Sequence, residues 1–155
     1  MRNGDRIDNA VKTCLSFFAL AVPEPNKKNF TTQLGCHFEE VHEHLLEITA
    51  LEPDAEFFLA NAREAVHRLA EHLKSRGGVS VRPSDSVAFL DALCDQMVTA
   101  IGTAYMINMD IENAFDEVNR SNLSKFGPDG YPIFNADMKV LKGPFYTPAE
   151  LSTYV

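Results

Sequence analysis

The most constraining feature of this chain is the stretch 86–109, which is almost wholly apolar and carries only two charged residues. Its apolar residues recur at helical spacing, so it predicts one long helix that other parts of the protein must cover. The two charges, Asp91 and Asp95, lie four residues apart and therefore on one flank of that helix. A carboxylate removed from water without a partner costs several kcal/mol or becomes protonated, so the pair predicts a shared cation.

Acidic residues also cluster upstream, at Glu39, Glu40, Glu43 and Glu47. On a helix the last three fall on one side, away from the apolar stripe of the same helix. An acidic face that stays in water is the ordinary interpretation of such a cluster. Together with the aspartate pair, however, the cluster predicts a divalent-metal site built from Glu40, Glu43, Asp91 and Asp95. Carboxylate oxygens without cysteine suit a hard cation, Mg²⁺ or alternatively Mn²⁺.

Composition limits the classes of protein that fit. A chain of 155 residues with 45% hydrophobic content is expected to bury one core, as a single domain over residues 1–155. Its formal net charge of −8 disfavours a nucleic acid polymer as partner, because such binding needs cationic surface. Three widely spaced cysteines predict neither disulfides nor a zinc site and favour a cytoplasmic location. Neither export nor a membrane span is expected, because aspartates precede the short N-terminal apolar run and interrupt the stretch 86–109.

The spacing of apolar residues is helical almost everywhere to Leu123, so the chain is expected to be all-α. The predicted helices span about residues 7–21, 32–51, 54–75, 85–107 and 111–125. Pro53 is expected to open the third helix, and Ser84 and Asp110 to be the N-caps of the fourth and fifth. The first helix and a linker occupy residues 1–30, and an irregular tail occupies residues 126–155.

A glycine lies in the middle of the fourth predicted helix, at Gly102. Glycine in a helix interior costs about 1 kcal/mol relative to alanine. We therefore expect another helix to pack closely against the stripe that Gly102 shares with Asp91 and Asp95.

Polar residues continue the apolar stripe of the fifth predicted helix. Asn122 and Lys125 lie at helical spacing from an apolar series, Ile111, Phe115 and Val118. They are candidates to face a phosphate-binding site, together with Lys139 and Lys142 of the tail. The alternative is that Lys125 extends its amine into water and Asn122 caps a neighbouring segment. The sequence has no P-loop, GxSxG or GxGxxG motif, and its histidines lack the spacing of a metalloprotease.

Several segments resemble a known family. Glu40-Val-His-Glu43 followed by an acidic helix, and then Asp116-Glu-Val-Asn-Arg-Ser-Asn-Leu-Ser-Lys125, resemble the MazG-like all-α nucleotide pyrophosphohydrolases. The tail, with Asp129-Gly130 and Lys139-Val-Leu-Lys142-Gly-Pro-Phe-Tyr, is similar to the phosphoribosyl-ATP pyrophosphohydrolase-like branch. The similarity runs from about residue 33 to residue 151 and leaves out the third helix.

This resemblance implies a four-helix-bundle-like domain that forms a homodimer or a dimer of dimers. It implies Mg²⁺-dependent hydrolysis of an NTP or dNTP, or of a related nucleotide such as phosphoribosyl-ATP, between the α and β phosphates. The products are a monophosphate and pyrophosphate. The implied metal ligands are Glu40, Glu43, Asp91 and Asp95, and the implied catalytic residues are Glu39 and Glu40. Substrate contacts are implied for Asn119, Asn122, Lys125, Lys139 and Lys142.

The chain departs from the family pattern at two places. The family has an acid three residues before the final aspartate, whereas Ala92 precedes Asp95 at that distance and the acid is displaced to Asp91. One helical residue rotates a side chain by roughly 100°, so the ligand geometry is expected to differ. In the tail, Met138 stands where the family has glycine, and Ala149-Glu150 stands where it has Pro-Asp.

A non-catalytic interpretation competes with the enzyme. In it the chain is a helical interaction module, whose acidic face binds a basic partner and whose aspartates pair with lysine or arginine. Such a docking face responds mainly to ionic strength, whereas a metal-dependent enzyme is stabilised by Mg²⁺.

Overall fold

The all-α prediction is confirmed in the structure, a computed structural model that describes residues 3–134 and 140–155. Side chains are described for these residues except 3–8 and Pro83. The described chain forms five α-helices: α1 (Asn3–Ala21), α2 (Lys27–Leu46), α3 (Pro53–Ser75), α4 (Ser86–Met106) and α5 (Ile111–Leu123). Short 3₁₀ turns at Pro83–Asp85 and Ser152–Tyr154 precede α4 and close the tail. The only extended pairing among these residues is an isolated bridge between Phe134 and Val140.

Helix α2 lies about five residues earlier in the chain than the predicted helix 32–51. It begins early because the side chain of Asn26 accepts hydrogen bonds from the backbone of Lys28 and Asn29, which forms a capping box. It ends early because the guanidinium of Arg63 donates to the carbonyl oxygens of Leu45 (3.0 Å) and Ile48 (2.7 Å). These bonds satisfy backbone acceptors at the helix end, where no helical partner is available.

The remaining helix boundaries lie close to those predicted. Pro53 occupies the first turn of α3, and the Asp110 side chain caps α5 by accepting from the amide of Asn113. The predicted N-cap of α4 is wrong, because Ser84 lies inside the preceding 3₁₀ turn and bonds to the carboxylate of Asp85.

The chain divides into two compact units. One unit comprises Glu24–Ser86 and contains α2 and α3. These helices pack closely at Gly35, where an added Cβ would lie 2.9 Å from the carbonyl oxygen of Ala70 and 2.6 Å from Cγ of Lys74. Ala70 and Leu73 form the buried centre of this pair. A helix pair that approaches so closely tolerates only glycine at this position.

The other unit comprises Met1–Pro23 and Val87–Val155. Helices α1 and α5 are joined by the amide of Asn119, which donates to the backbone oxygen of Ala10 at 3.0 Å. Both residues are buried. At the end of this pair, the rings of Phe17 and Phe126 stack with centroids 5.3 Å apart. Apolar packing and one buried amide therefore hold α1 against α5.

Helix α4 is exposed, contrary to the expectation that other parts of the chain cover it. Val87, Val98 and Tyr105 expose 80%, 66% and 73% of their surface. A Cβ added at Gly102 would meet no described atom within 4 Å, so the close packing expected there is absent from the described chain. By length and composition α4 is also able to cross a membrane, so its two aspartates alone do not exclude a span. The helix therefore has an apolar surface for which the described chain provides no cover.

The close approach at Gly35 leads to a stability prediction. Gly35→Ala adds a methyl group that displaces backbone atoms of α3, and overpacking of this kind costs about 1–3 kcal/mol. Gly102→Ala makes the same change in mid-helix, where the site is open, so it should gain about 1 kcal/mol of helix propensity. Urea denaturation of dilute protein, followed by circular dichroism, measures both. Equal stability of the two variants would contradict the close packing of α2 and α3.

Candidate functional site

Glu39 is partly exposed and forms an ion pair with α3. Its Oε1 accepts a hydrogen bond from Nζ of Lys74 at 2.7 Å, and Glu71 binds the same ammonium at 2.6 Å. These hydrogen bonds, first that to Glu39, raise the pKa of Lys74 above its ordinary value. The same ammonium lowers the pKa of Glu71. The ion pair therefore fixes one oxygen of Glu39, and this neighbour was not expected from the sequence.

Glu40 and Glu43 lie three residues apart on α2, and both are exposed. This spacing places them on one side of the helix, as expected for an acidic face. Glu47, the fourth member of the acidic cluster, is also exposed and forms the C-cap of α2. The unit thus presents acidic side chains to water, and Glu39 also pairs with a lysine of α3.

Asp91 and Asp95 are exposed on the N-terminal half of α4. The expectation that they leave water is therefore wrong for the described chain, because the helix that carries them has no cover. The one-turn spacing still keeps both carboxylates on the same flank. Their need for a cation consequently depends on what covers α4.

The two acidic pairs belong to different units, Glu40 and Glu43 to one and Asp91 and Asp95 to the other. Within neither unit do the described residues bring three His, Cys, Asp or Glu side chains together as metal ligands. Each unit therefore offers at most a pair of carboxylates at these positions, and the four-ligand metal site remains a prediction.

The motif at residues 116–125 holds the C-terminal tail. Arg120 forms a two-point ion pair with Glu117, with N–O distances of 2.7 Å, and donates to Thr147 and to the carbonyl oxygen of Pro148. Glu117 in turn accepts from the backbone amide of Glu150 at 2.9 Å. Ion pairing with Arg120, followed by the Glu150 amide bond, lowers the pKa of Glu117 to about 2.

Two serines of the same motif bind the tail backbone. Ser121 Oγ donates to the carbonyl oxygen of Thr147 at 2.9 Å, and Ser124 Oγ accepts from the Thr147 amide at 3.0 Å. The amide of Asp110, at the start of α5, donates to the carbonyl of Tyr154. Part of this motif therefore has a structural role that the sequence alone did not reveal.

Asn122 and Lys125 are half-buried and bond to each other, with Nζ donating to Oδ1 at 2.8 Å. The tail returns to this point, since the amide of Gly143 donates to the carbonyl oxygen of Lys125 at 2.9 Å. An added Cβ at Gly143 would lie 2.7 Å from that oxygen, so the approach requires glycine. Lys142, the preceding residue, is exposed and lies with Nζ 4.5 Å from the centroid of the Tyr146 ring.

Neither Lys125 nor Lys142 forms an ion pair with any carboxylate among the described side chains. Both therefore keep a charge that a ligand can use. Lys139, the other predicted tail contact, lies outside the described residues.

Asn119 has a structural position that does not support the predicted substrate contact. The residue is 4% exposed, and its side-chain amide donates to the backbone oxygen of Ala10. An amide so placed joins α1 to α5 and is not accessible to a phosphate. The sequence motif could not reveal this, because the partner is a backbone group 109 positions away.

The tail contacts give a second prediction. Glu117→Gln removes the charge that pairs with Arg120 and weakens the bond to the Glu150 amide, so amide hydrogen exchange at Thr147 and Glu150 should speed up several-fold. Because the folded pKa of Glu117 is about 2 against an ordinary 4.5, its stabilisation is complete above pH 4.5 and lost as the pH falls towards 2. Asp116→Asn, an exposed neighbour, is the matched control. Unchanged exchange in Glu117→Gln would show that the ion pair does not hold the tail.

Comparisons with protein-family models, with curated proteins and with solved structures found no match for this chain. The resemblance to the MazG-like family therefore rests on the sequence motifs alone.

Proposed function

We propose that this chain is a cytoplasmic, Mg²⁺-dependent nucleoside triphosphate pyrophosphohydrolase that cleaves between the α and β phosphates. The observation that carries the proposal is that residues 116–125 contain two groups of side chains with different contacts. Glu117, Arg120 and two serines hold the tail, whereas Asn122 and Lys125 bond to each other and lie where the tail returns with Lys142. Two lysines without carboxylate partners among the described residues are suited to bind phosphate oxygens.

The acidic residues fit the chemistry of Mg²⁺ as donors. Glu43, Asp91 and Asp95 are exposed, and all the proposed ligands are carboxylates, which hard cations prefer. We propose that Glu40 and Glu43 together with Asp91 and Asp95 hold the ion, with Mn²⁺ as an alternative. When bound, the ion would offset phosphate charge and help to orient water for attack.

Two groups of this chain have roles that follow from their contacts. Lys125 and Lys142 would bind the oxygens of the phosphates, and Asn122 would hold the amine of Lys125 in position. Glu39 has one oxygen fixed by Lys74, which leaves its second oxygen to accept a proton from the attacking water. Asn119 has no part in this proposal, because its amide is committed to Ala10.

The activity test uses Asp91→Asn, which removes a proposed ligand charge from an exposed site without disturbing a core. Pyrophosphate release from a panel of nucleoside triphosphates with Mg²⁺ should fall by about a hundredfold or more. Asp116→Asn, in the same unit, should keep full activity. Unchanged turnover in Asp91→Asn would remove this residue from the proposed site.

The non-catalytic interaction module makes the opposite prediction for the whole chain. Under that alternative, titration calorimetry detects no Mg²⁺ binding, and thermal stability changes with ionic strength alone. The exposed acidic face of α2 is the feature that supports this alternative, because it is suited to bind a basic partner.

We further propose that a second copy of the chain covers α4, which gives the homodimer expected from the resemblance. Val87, Val98 and Tyr105 recur at spacings of 11 and 7 residues, so they share one exposed face. Residues 97–106 contain no charge, whereas both aspartates lie in the N-terminal half of α4. Antiparallel packing of two α4 helices therefore sets each aspartate pair against a neutral partner segment, and parallel packing would bring like charges together.

Self-association is tested by Val98→Lys, which places a charge at the middle of the shared face. Sedimentation equilibrium should show that the dissociation constant of the dimer rises by about tenfold or more, because a buried unpaired charge is costly. Leu51→Lys, at an apolar residue that is also highly exposed but lies between α2 and α3, should leave the association unchanged. A wild-type chain that sediments as a monomer, or that binds neutral lipid vesicles through α4, would contradict the proposal.

A further inference from the structure

Two histidines, one on α2 and one on α3, are in contact within the unit Glu24–Ser86. The ring centroids of His42 and His67 lie 4.9 Å apart, and the ring planes are inclined to each other at 40°. The rings are therefore close without being stacked face to face. Because imidazole is a preferred ligand of zinc, copper and nickel ions, two such rings across a helix pair are a candidate metal site.

The ring of His42 is oriented by a backbone carbonyl. Its Nδ1 lies 3.1 Å from the carbonyl oxygen of Arg63 on α3. A carbonyl oxygen only accepts hydrogen bonds, so Nδ1 carries the proton and, in the neutral ring, Nε2 carries the lone pair. Histidines that bind metals typically donate their second ring N–H to a carbonyl in this way, which fixes the tautomer and the ring. The bond to Arg63 therefore leaves Nε2 as the ligand atom.

The ligand atoms of both rings are open to solvent. His42 is half-buried, and its Nε2 has no hydrogen-bond partner among the described residues. It is not one of the buried unpartnered atoms of those residues, so it retains accessible surface. His67 is exposed, and neither of its ring nitrogens has a hydrogen-bond partner in the described chain. A metal ion can therefore reach both rings from water.

The separation of the rings matches that of two ligands of one ion. A zinc–nitrogen bond of about 2.1 Å and a ring radius of about 1.1 Å place each ring centroid roughly 3.2 Å from the ion. At angles between square-planar and tetrahedral, two such centroids lie roughly 4.5–5.2 Å apart. The observed 4.9 Å falls within this range. Because His67 is exposed, rotation about its side-chain bonds can turn either nitrogen towards the ion.

The charges around the rings favour a cation. Glu64 and Glu71 lie one helical turn before and after His67 on α3, and both are exposed. Glu71 also interacts electrostatically with His67. The positive groups of Arg63 and Lys74 on the same helix are directed elsewhere, the first at the carbonyl groups that end α2 and the second at two carboxylates.

The unit that contains α2 and α3 has a small hydrophobic core. Within its described side chains, Ala70 and Leu73 are the buried hydrophobic residues. Small units of this kind are often stabilised by a structural metal, which links two elements without adding apolar volume. An ion shared by His42 and His67 would join α2 to α3 in this way.

We propose that His42 and His67 bind one divalent cation of the class that prefers imidazole, such as Cu²⁺, Ni²⁺ or Zn²⁺, and that this ion holds α2 against α3. Among the described residues no third His, Cys, Asp or Glu side chain joins them, so water completes the coordination. The site does not rest on the proposed function, because the Mg²⁺ proposed there prefers carboxylate oxygens.

Titration calorimetry of the full chain without an affinity tag tests the site, with Ni²⁺ as the probe at constant pH. Ni²⁺ prefers nitrogen ligands, and an excess of Mg²⁺ occupies carboxylate sites. The wild-type chain should bind Ni²⁺ about tenfold or more tightly than His67→Ala, because the loss of even an outer partner of a metal ligand costs that much. His44→Ala, at another exposed histidine of α2, should bind as the wild type does. A His67→Ala variant with wild-type affinity, or a wild-type chain that binds no Ni²⁺, would overturn the inference.

His67→Phe separates metal binding from packing of the rings. It keeps an aromatic ring against His42 and removes both ligand nitrogens, so its Ni²⁺ affinity should fall as in His67→Ala. Ni²⁺ should raise the urea midpoint of the wild-type chain, because an ion that binds the folded pair stabilises it, and should leave that of His67→Phe unchanged. Equal stabilisation of both chains would show that other groups bind the ion and would refute the site.

Discussion

The ion pair between Glu117 and Arg120 is the interaction on which the C-terminal half of this protein depends. It lies on α5 and binds three points of the tail, at Thr147, Pro148 and Glu150. Without these contacts the tail would have little apolar surface to hold it, because Leu141, Phe145 and Leu151 are all exposed. The position of Lys142 near Lys125 is therefore a consequence of polar contacts rather than of hydrophobic burial.

Periodicity and capping residues were sufficient to predict the five helices, because both are local properties of the sequence. The errors arose where distant residues decide the outcome. Arg63 ends α2 by binding the carbonyl groups of Leu45, in its last turn, and of Ile48, just beyond it, and the sequence around residue 46 contains no sign of that donor. Asn119 was expected at a binding site because it lies in the motif, but a backbone oxygen of α1 uses its amide.

The exposure of α4 has a different cause. Apolar spacing indicates that a helix face needs cover, and it carries no information about which molecule provides that cover. The predicted burial of Asp91 and Asp95 followed from an assumption that the same chain does so. If a second copy covers α4, the environment of both carboxylates changes on association, and metal binding and dimerisation become linked equilibria. Each would then strengthen the other by mass action, since an ion that binds only the assembled form stabilises it.

Asn122 lies in the last turn of α5, and the amine of Lys125, just beyond the helix end, donates to its side chain. These are groups proposed to bind the phosphates. Phosphates would then lie near the C-terminal end of α5, where the helix dipole is unfavourable for an anion. A helix N-terminus binds phosphate with backbone amides alone, whereas a C-terminus has none to offer. Positive side chains must replace them, and the proposal assigns that part to Lys125 at the end of α5 and to Lys142, whose neighbour Gly143 bonds to the Lys125 carbonyl.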